Sequence, residues 1–417
     1  MKPIIVVSGM LLAEVLAPSP TLAQVAAPAP VTLEQALSRF HRDSPALALA
    51  RSRFRVEAAV SRQGRAFANP VASLSHEDLG DYTERYLTVT QRVDFLWDAP
   101  GRARRADALV LGARARFQAD SARLVRDVKE AYVRAWESRE GLALARRTDE
   151  VLASILANAA ERAAEGDLAG YDVRRLEVER ARVGRSLARA EVELAYAEER
   201  LAALVGEPGV PRLAAAPLAG SAPVPGAEVD VVSLALSRRA EVAAARAAVD
   251  AQRAGASLAR RGMLEGTSVG GGLKRQSDGK DGLFLAVQIP VPILDRRSGA
   301  ADASRAALTG AEAEAEWVGR AVAIEASLAR ARVAAAARTG ALVGDRGLAE
   351  AEELLAVARL AYEEGEVGIV EMLDAAEAFT EAGLLWLGAR VEGWLAYFEL
   401  EQAVGGLADN LEQGVER

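Results

Sequence analysis

The sequence predicts a mainly α-helical protein built as a tandem structural repeat, with long coiled-coil hairpins and four short β-strands. Three observations carry this prediction. Proline is absent from residues 101–207 and from residue 293 to the end, while five of the fifteen prolines fall within residues 208–225. Helix interiors exclude proline, so the empty zones read as long helices and the cluster as a linker. The two sides of that linker match each other at a spacing near 200 residues. Within the empty zones, apolar residues recur in alternating steps of three and four.

The N-terminus comes first. Lys2 precedes the apolar run PIIVVSGMLLAEVLA and then PSPTLAQ. This is the pattern of a secretory signal peptide cleaved after Ala23, with Thr21 as the small residue at the −3 position. The chain is expected to be exported, with residues 24–31 as a lead-in. No later stretch has about 18 uninterrupted apolar residues, so no membrane-spanning helix is expected.

Residues 24–207 form the first repeat, 208–227 a Pro/Gly/Ala-rich linker and 228–406 the second repeat; 407–417 are a C-terminal tail. ALSR at residues 36–39 recurs at 235–238. QRVDFLWD at 91–98 lies over QIPVPILD at 288–295. LVG at 204–206 lies over AVG at 403–405. Each half therefore reads helix, β-like stretch, long helix, turn and returning helix. A period this long is too great for a solenoid unit and indicates duplication of a whole structural half.

The expected strands cover about 70–96 in the first half and 266–293 in the second. Leu87, Val89, Val93 and Phe95 alternate with Thr88, Thr90, Arg92 and Asp94. Leu283, Leu285, Val287, Ile289 and Val291 alternate with Phe284, Ala286 and Gln288. Each is preceded across a polar loop by a weaker candidate, at residues 71–77 and 267–274. Such hairpins have the ~10-residue length that crosses a membrane as tilted β-structure. Apolar residues then face lipid, and Thr, Arg and Asp a wet lumen. Four strands cannot close, and an open edge in lipid leaves backbone groups unsatisfied, so several chains must share one barrel. A small β-element capping a soluble helical bundle is the other reading of the same alternation.

The helical hairpins are expected at about 102–205 and 298–404. Leu124, Val128, Ala131, Ala135, Ser138, Leu142, Ala145, Leu152 and Leu156 form one seam. Val173, Leu176, Val183, Leu187, Ala190, Leu194, Ala197, Leu201 and Leu204 form the returning seam. Steps of 3.5 residues place each set on one line facing a partner helix. The two reversals read alike: AAEGDLAGYD around Gly166 and Asp167, AYEEGEVGIVE around Gly365 and Glu366.

Chemistry is expected to be absent. There is no cysteine, which excludes disulfides, thiol catalysis and a lipid-acceptor cysteine. The net charge of −8 is finely mixed, without a basic block, so nucleic acid is an unexpected partner. No phosphate-loop, dinucleotide or zinc-protease motif occurs. His41 and His76 are the only histidines, too few for a metal site or a hydrolase triad. No enzyme activity, no cofactor and no metal site are expected.

The signal peptide, the duplicated half, the two strand pairs and the long hairpins together resemble the TolC-type outer-membrane efflux family. IPVPILDRRSGA and YEEGEVGIVEMLDA resemble its CzcC/CusC-like branch, which serves resistance-nodulation-division (RND) exporters. The resemblance implies a homotrimer in outer-membrane lipid, with a shared twelve-stranded barrel continued by a periplasmic helical tunnel. It implies an exit duct of a tripartite efflux pump, with a lean toward heavy-metal cations as cargo, working with a periplasmic adaptor and an inner-membrane RND transporter. The hairpin tips at Gly166, Asp167, Gly365 and Glu366 would meet the adaptor. Glu371, Asp374 and Asp172 match the family's acidic positions at the tunnel entrance, and Tyr362 a tyrosine that holds the gate shut. Val367 stands where some relatives carry a locking arginine, with Arg174 and Arg175 as candidate replacements.

From the residues alone, Glu371 and Asp374 lie three apart on one helix face, where they are either a selectivity ring or a solvated acidic helix start. A periplasmic coiled-coil scaffold or adaptor is the alternative function, although two equal halves with two hairpins argue against an adaptor.

Overall fold

The computed structural model describes residues 30–78, 80–207, 215–218, 220–226 and 229–406. The expected signal peptide, the tail and part of the linker lie outside these residues. The first half runs α1 (Leu33–Asp43), α2 (Pro45–Gln63), β1 (Val71–Asp78), β2 (Thr83–Arg92), α3 (Phe95–Glu165) and α4 (Gly170–Val205). The second runs α5 (Val231–Arg238), α6 (Ala240–Arg261), β3 (Ser268–Gln276), β4 (Asp281–Gln288), α7 (Ser298–Glu363) and α8 (Ile369–Ala403), the same order again.

The breaks between short helices have local causes. Thr32 and Gln35 close a reciprocal capping box at the start of α1. Pro45 opens α2, where its missing N–H costs nothing. Asp230 caps α5 by accepting from the Ser233 N–H at 3.1 Å.

The four strands make one antiparallel sheet in the order β1-β2-β3-β4. The middle pair joins the two repeats, with Glu84 opposite Gln276 and Arg92 opposite Ser268. Two strand ends fall short of expectation. β2 stops at Arg92, and Val93 and Phe95 leave the strand, because Leu96 N–H bonds back to Val93 O at 3.1 Å and starts α3. β4 stops at Gln288, and Ile289 and Val291 leave it, because Pro290 and Pro292 bring no N–H to a ladder.

α3 is correspondingly longer than expected, beginning at Phe95 rather than near residue 102. It runs 71 residues with Pro100 close to its start, or about 107 Å if straight. Both seams listed from the sequence are buried or half-buried along their whole length. α3 packs against α4 on one side and α8 on another, α8 packs against α7, and α6 lies between α3 and α7 higher up.

Three apolar clusters hold this layer. One gathers Phe40, Tyr132, Trp136, Leu201 and Phe398 from α1, α3, α4 and α8. One gathers Val242, Val322, Val333 and Leu400 from α6, α7 and α8. The third joins all four long helices near their turns, through Leu152, Ile155, Leu176, Tyr362, Met372 and Phe379.

The linker is tied down where it is described. Val31 and Ala215 form a parallel bridge, and the buried Tyr132 hydroxyl lies 2.9 Å from the carbonyl oxygens of both Val31 and Ala216. Arg390 stacks on Trp386 and donates to Gly220 O at 2.7 Å. α7 is interrupted at Gly344, whose φ of 54° and ψ of 168° suit glycine alone. Beside this break Trp386 donates to Asp345 at 2.7 Å. No helix among the described residues is long and apolar enough to cross a membrane.

Candidate functional site: the sheet faces and the hairpin tips

Strand register sorts the sheet into two faces. Leu74, Leu87, Val89, Val269, Leu273, Leu283, Leu285 and Val287 share one. Every one of them is exposed, with Leu74 at 78%, Leu283 at 85% and Leu285 at 79%. A soluble sheet buries such a face against a core, and this one has no cover. The opposite face carries Ser73, Ser75, Glu84, Tyr86, Thr88, Thr90, Lys274 and Gln276. Among the described residues no strand pairs with the outer side of β1 or β4, so the sheet has two open edges. The glycine run at residues 270–272 lies within β3.

The far ends of the long helices make the same turn twice. At the first, Gly166 has φ 88°, its N–H bonds to Ala163 O at 3.2 Å, and Asp167 N–H bonds to Arg162 O at 2.9 Å. At the second, Gly365 has φ 78°, with bonds to Tyr362 O at 3.1 Å and from Glu366 N–H to Ala361 O at 2.8 Å. Both are left-handed caps with the pairing that closes a helix end, which explains the repeated E-G in the sequence.

Tyr362 sits behind the second turn, 1% exposed. Its hydroxyl has no hydrogen-bond partner among the described residues. Burial pushes that hydroxyl's pKa up; Arg162 opposes the shift and Asp172 adds to it. Arg162 lies over the Tyr362 ring at 5.6 Å and donates to the Tyr362 carbonyl at 3.2 Å. It therefore straps the end of α7 to α3. Sequence reasoning missed Arg162; a basic residue in the last turn before Gly166 was the available signal.

The predicted residues form two groups. Tyr362 and Asp172 lie close enough to interact electrostatically. Glu371 and Asp374 are exposed on the far side of α8 from buried Met372, Ala375 and Ala376. No hydrogen bond or ion pair among the described residues joins the second group to the first. The Glu371 carboxylate folds back to Gly368 at the helix start. Val367 packs on the tip cluster, and neither Arg174 nor Arg175 has an ion-pair partner within the chain among the described residues.

Among the described residues, two helix edges remain without partners. α4 exposes Tyr171, Val178, Val192 and Tyr196, and α7 exposes Ile324, Leu342, Leu354, Val357 and Leu360. The same stretches are mixed in charge. α4 carries arginines and acids in equal number, and many of the charges on both helices are paired within the chain, as Arg182 with Glu179, Arg189 with Glu193 and Arg346 with Glu350.

No family model matches the chain. It is 24% identical over 387 residues to the cobalt-zinc-cadmium resistance protein CzcC of Cupriavidus metallidurans, covering 90% of both chains. Among solved structures, CusC superposes with a TM-score of 0.75 at 19% identity, over 90% of this chain and 92% of that one. The CmeC outer membrane channel of Campylobacter jejuni gives 0.75 at 11% identity, over 92% and 88%. The outer-membrane channel OprN gives 0.72 at 19% identity, over 90% of each. The resemblance to TolC-type outer-membrane channels read from the sequence therefore extends over nine-tenths of the chain, and the fold is theirs.

Proposed function

We propose that this chain is the outer-membrane exit duct of a tripartite efflux pump. The observation that carries the reading is the open four-stranded sheet, whose uncovered apolar face stands above long helices with two unpartnered edges. A sheet with open edges is not viable in lipid unless the edges close on other copies. β4 of one copy and β1 of the next, with α7 and α4 below, form a head-to-tail contact that closes as a ring. Three copies, the number the resemblance implies, make the ring: twelve strands above and twelve long helices below.

In this assembly the duct is passive and the tips face the periplasm. Gly166, Asp167, Gly365 and Glu366 meet the adaptor that links to an inner-membrane RND transporter. Glu371 and Asp374 line the entrance, six carboxylates around one aperture, which favours cations. Tyr362, Asp172 and Arg162 hold each hairpin pair in place behind it. The cargo we assign is divalent metal cations. The support is this acidic entrance, together with the likeness to a cobalt-zinc-cadmium resistance protein.

The test is the mass of the protein extracted by detergent from an outer-membrane fraction, corrected for bound detergent. A trimer supports the duct. A monomer recovered from the soluble periplasm refutes it and favours a coiled-coil scaffold.

A further inference from the structure

The apolar face of the sheet is too short for the membrane that the proposed duct crosses. Register divides that face into rows. His76, Arg85, Arg275 and Asp281 form the row nearest the hairpin turns, and Leu74, Leu87, Leu273 and Leu283 the next. Ala72, Val89, Gly271 and Leu285 follow, then Gln91, Val269 and Val287. Gln91 is the one polar side chain in these last three rows, and its Nε2 donates to Ala68 O at 2.9 Å and Arg92 O at 2.8 Å. From Leu283 to Val287 the strand climbs about 14 Å, or about 10 Å along the membrane normal at a tilt near 40°. A lipid-facing band is about 25 Å tall, and side-chain reach at both ends still leaves this one roughly 10 Å short.

The missing height does not come from the turn end, which is ionic on both faces. There Arg275 donates twice to Asp281, at 3.1 and 3.0 Å. On the opposite face the buried Glu84 accepts from Gln276 Nε2 at 2.5 Å and lies 2.6 Å from Lys274 Nζ. Apolar surface continues instead at the helix end. Ile289, Val291, Ile293 and Leu294 are all exposed, Leu294 completely. Pro290 and Pro292 keep this segment out of the β-ladder. They also remove two N–H groups, and Ile293 N–H bonds to Val291 O at 2.9 Å. Few backbone donors are then left that would need water. Leu96, which the duplication sets over Ile293, is likewise exposed at the start of α3. Both repeats therefore carry an apolar point just below the sheet. Arg296 follows, exposed and without an ion-pair partner among the described residues.

We infer that the segment 289–294, together with Leu96, docks into the phospholipid layer that faces the periplasm and completes the lipid-facing band below the sheet. This rests on the outer-membrane duct proposed above. The docking depth is the headgroup boundary, about 5–10 Å into the layer. Val291, Ile293 and Leu294 enter the acyl region there. Arg296 stays at the phosphates, as a long basic side chain does at such a boundary. In the ring of three copies, six such points surround the duct where the barrel meets the helices.

The chain lacks cysteine, so a single-cysteine reporter carries one dye per chain. Leu294→Cys, Leu283→Cys and Glu161→Cys are each labelled with an environment-sensitive fluorophore. Leu283 reports the sheet, and Glu161, exposed on α3 close to the tips, reports the helices. Each protein is reconstituted into vesicles of phosphatidylethanolamine and phosphatidylglycerol, with and without phospholipid bearing a nitroxide just below the headgroup. Quenching at Leu294→Cys is expected to be roughly tenfold that at Glu161→Cys and within about twofold of that at Leu283→Cys, as insertion to this depth requires. Leu283→Cys quenched while Leu294→Cys stays at the Glu161 level overturns the docking and leaves the duct standing. A blue-shifted dye at Leu294→Cys that the nitroxide does not quench assigns the segment to a contact with a neighbouring copy and also overturns it. No quenching at Leu283→Cys counts against the outer-membrane duct itself, and the docking falls with it. If Leu294→Cys does not insert, Val291→Cys gives the same readings.

Discussion

Replacing Arg162 by alanine should loosen the hairpin tips without unfolding the rest of the chain. Two interactions disappear. The guanidinium over the Tyr362 ring, at 5.6 Å, is half-buried and contributes about 1 kcal/mol. The charged hydrogen bond to the Tyr362 carbonyl, at 3.2 Å, contributes about another 1 kcal/mol, discounted because the group is partly solvated. Their joint loss of about 2 kcal/mol corresponds to a roughly 30-fold increase in local opening. The assay is amide hydrogen exchange on the detergent-solubilised protein, read on peptides covering residues 160–176 and 355–372. Exchange there should quicken by about that factor, while peptides around Val128 to Trp136 stay unchanged. Arg162→Lys keeps the charge but loses the planar contact, and should fall between the two. Tip exchange identical in wild type and Arg162→Ala would refute the strap. Acceleration spread evenly along the chain would show that Arg162 supports the whole fold and not the tip.

Four further outcomes are expected. Tyr132 has its pKa pushed up to about 12, chiefly by burial; an acid with a raised folded pKa stabilises the fold below its unfolded value near 10 and loses that stability as pH climbs toward 12, by about 2–3 kcal/mol. Denaturation midpoints measured across pH 9–12 should fall in wild type, and Tyr132→Phe should make that fall shallower while costing about 1 kcal/mol at neutral pH. Gly272→Ala would place a Cβ 2.2 Å from Leu87 O and should cost about 3 kcal/mol, seen as loss of trimer in the outer-membrane fraction. Gly344→Ala forces a side chain into a conformation natural to glycine and should lower thermal stability by about 1–2 kcal/mol. Glu371→Gln with Asp374→Asn should reduce the cation selectivity of reconstituted channels, measured by reversal potentials in a salt gradient; unchanged potentials would sink the carboxylate ring.

Local rules made much of this protein legible before any coordinates. Proline exclusion and the 3–4 steps located the long helices, and the alternation around Leu87 and Leu285 located the strands. The resemblance of the two turns followed from Gly166 and Gly365 alone, because a left-handed cap needs glycine whatever surrounds it. Strand ends were less legible, since Phe95 and Ile289 continue the apolar alternation. A competing helix start and a missing N–H ended the strands instead.

What the sequence determined by itself was therefore periodic and local: the duplication, the helices, the strands, the turns and the one-faced acidic pair Glu371 and Asp374. What only the tertiary structure decided was which distant residues meet. Arg162 and Tyr362 are 200 positions apart, and Glu84 and Lys274 are 190 apart; nothing in their local spacing announces either pair. Both exist because the duplicated halves pack side by side, bringing each hairpin of one repeat against that of the other. The same packing left β1, β4, α4 and α7 as open edges, because two halves cover each other on one side only. In the assembly proposed above, further copies meet those remaining edges.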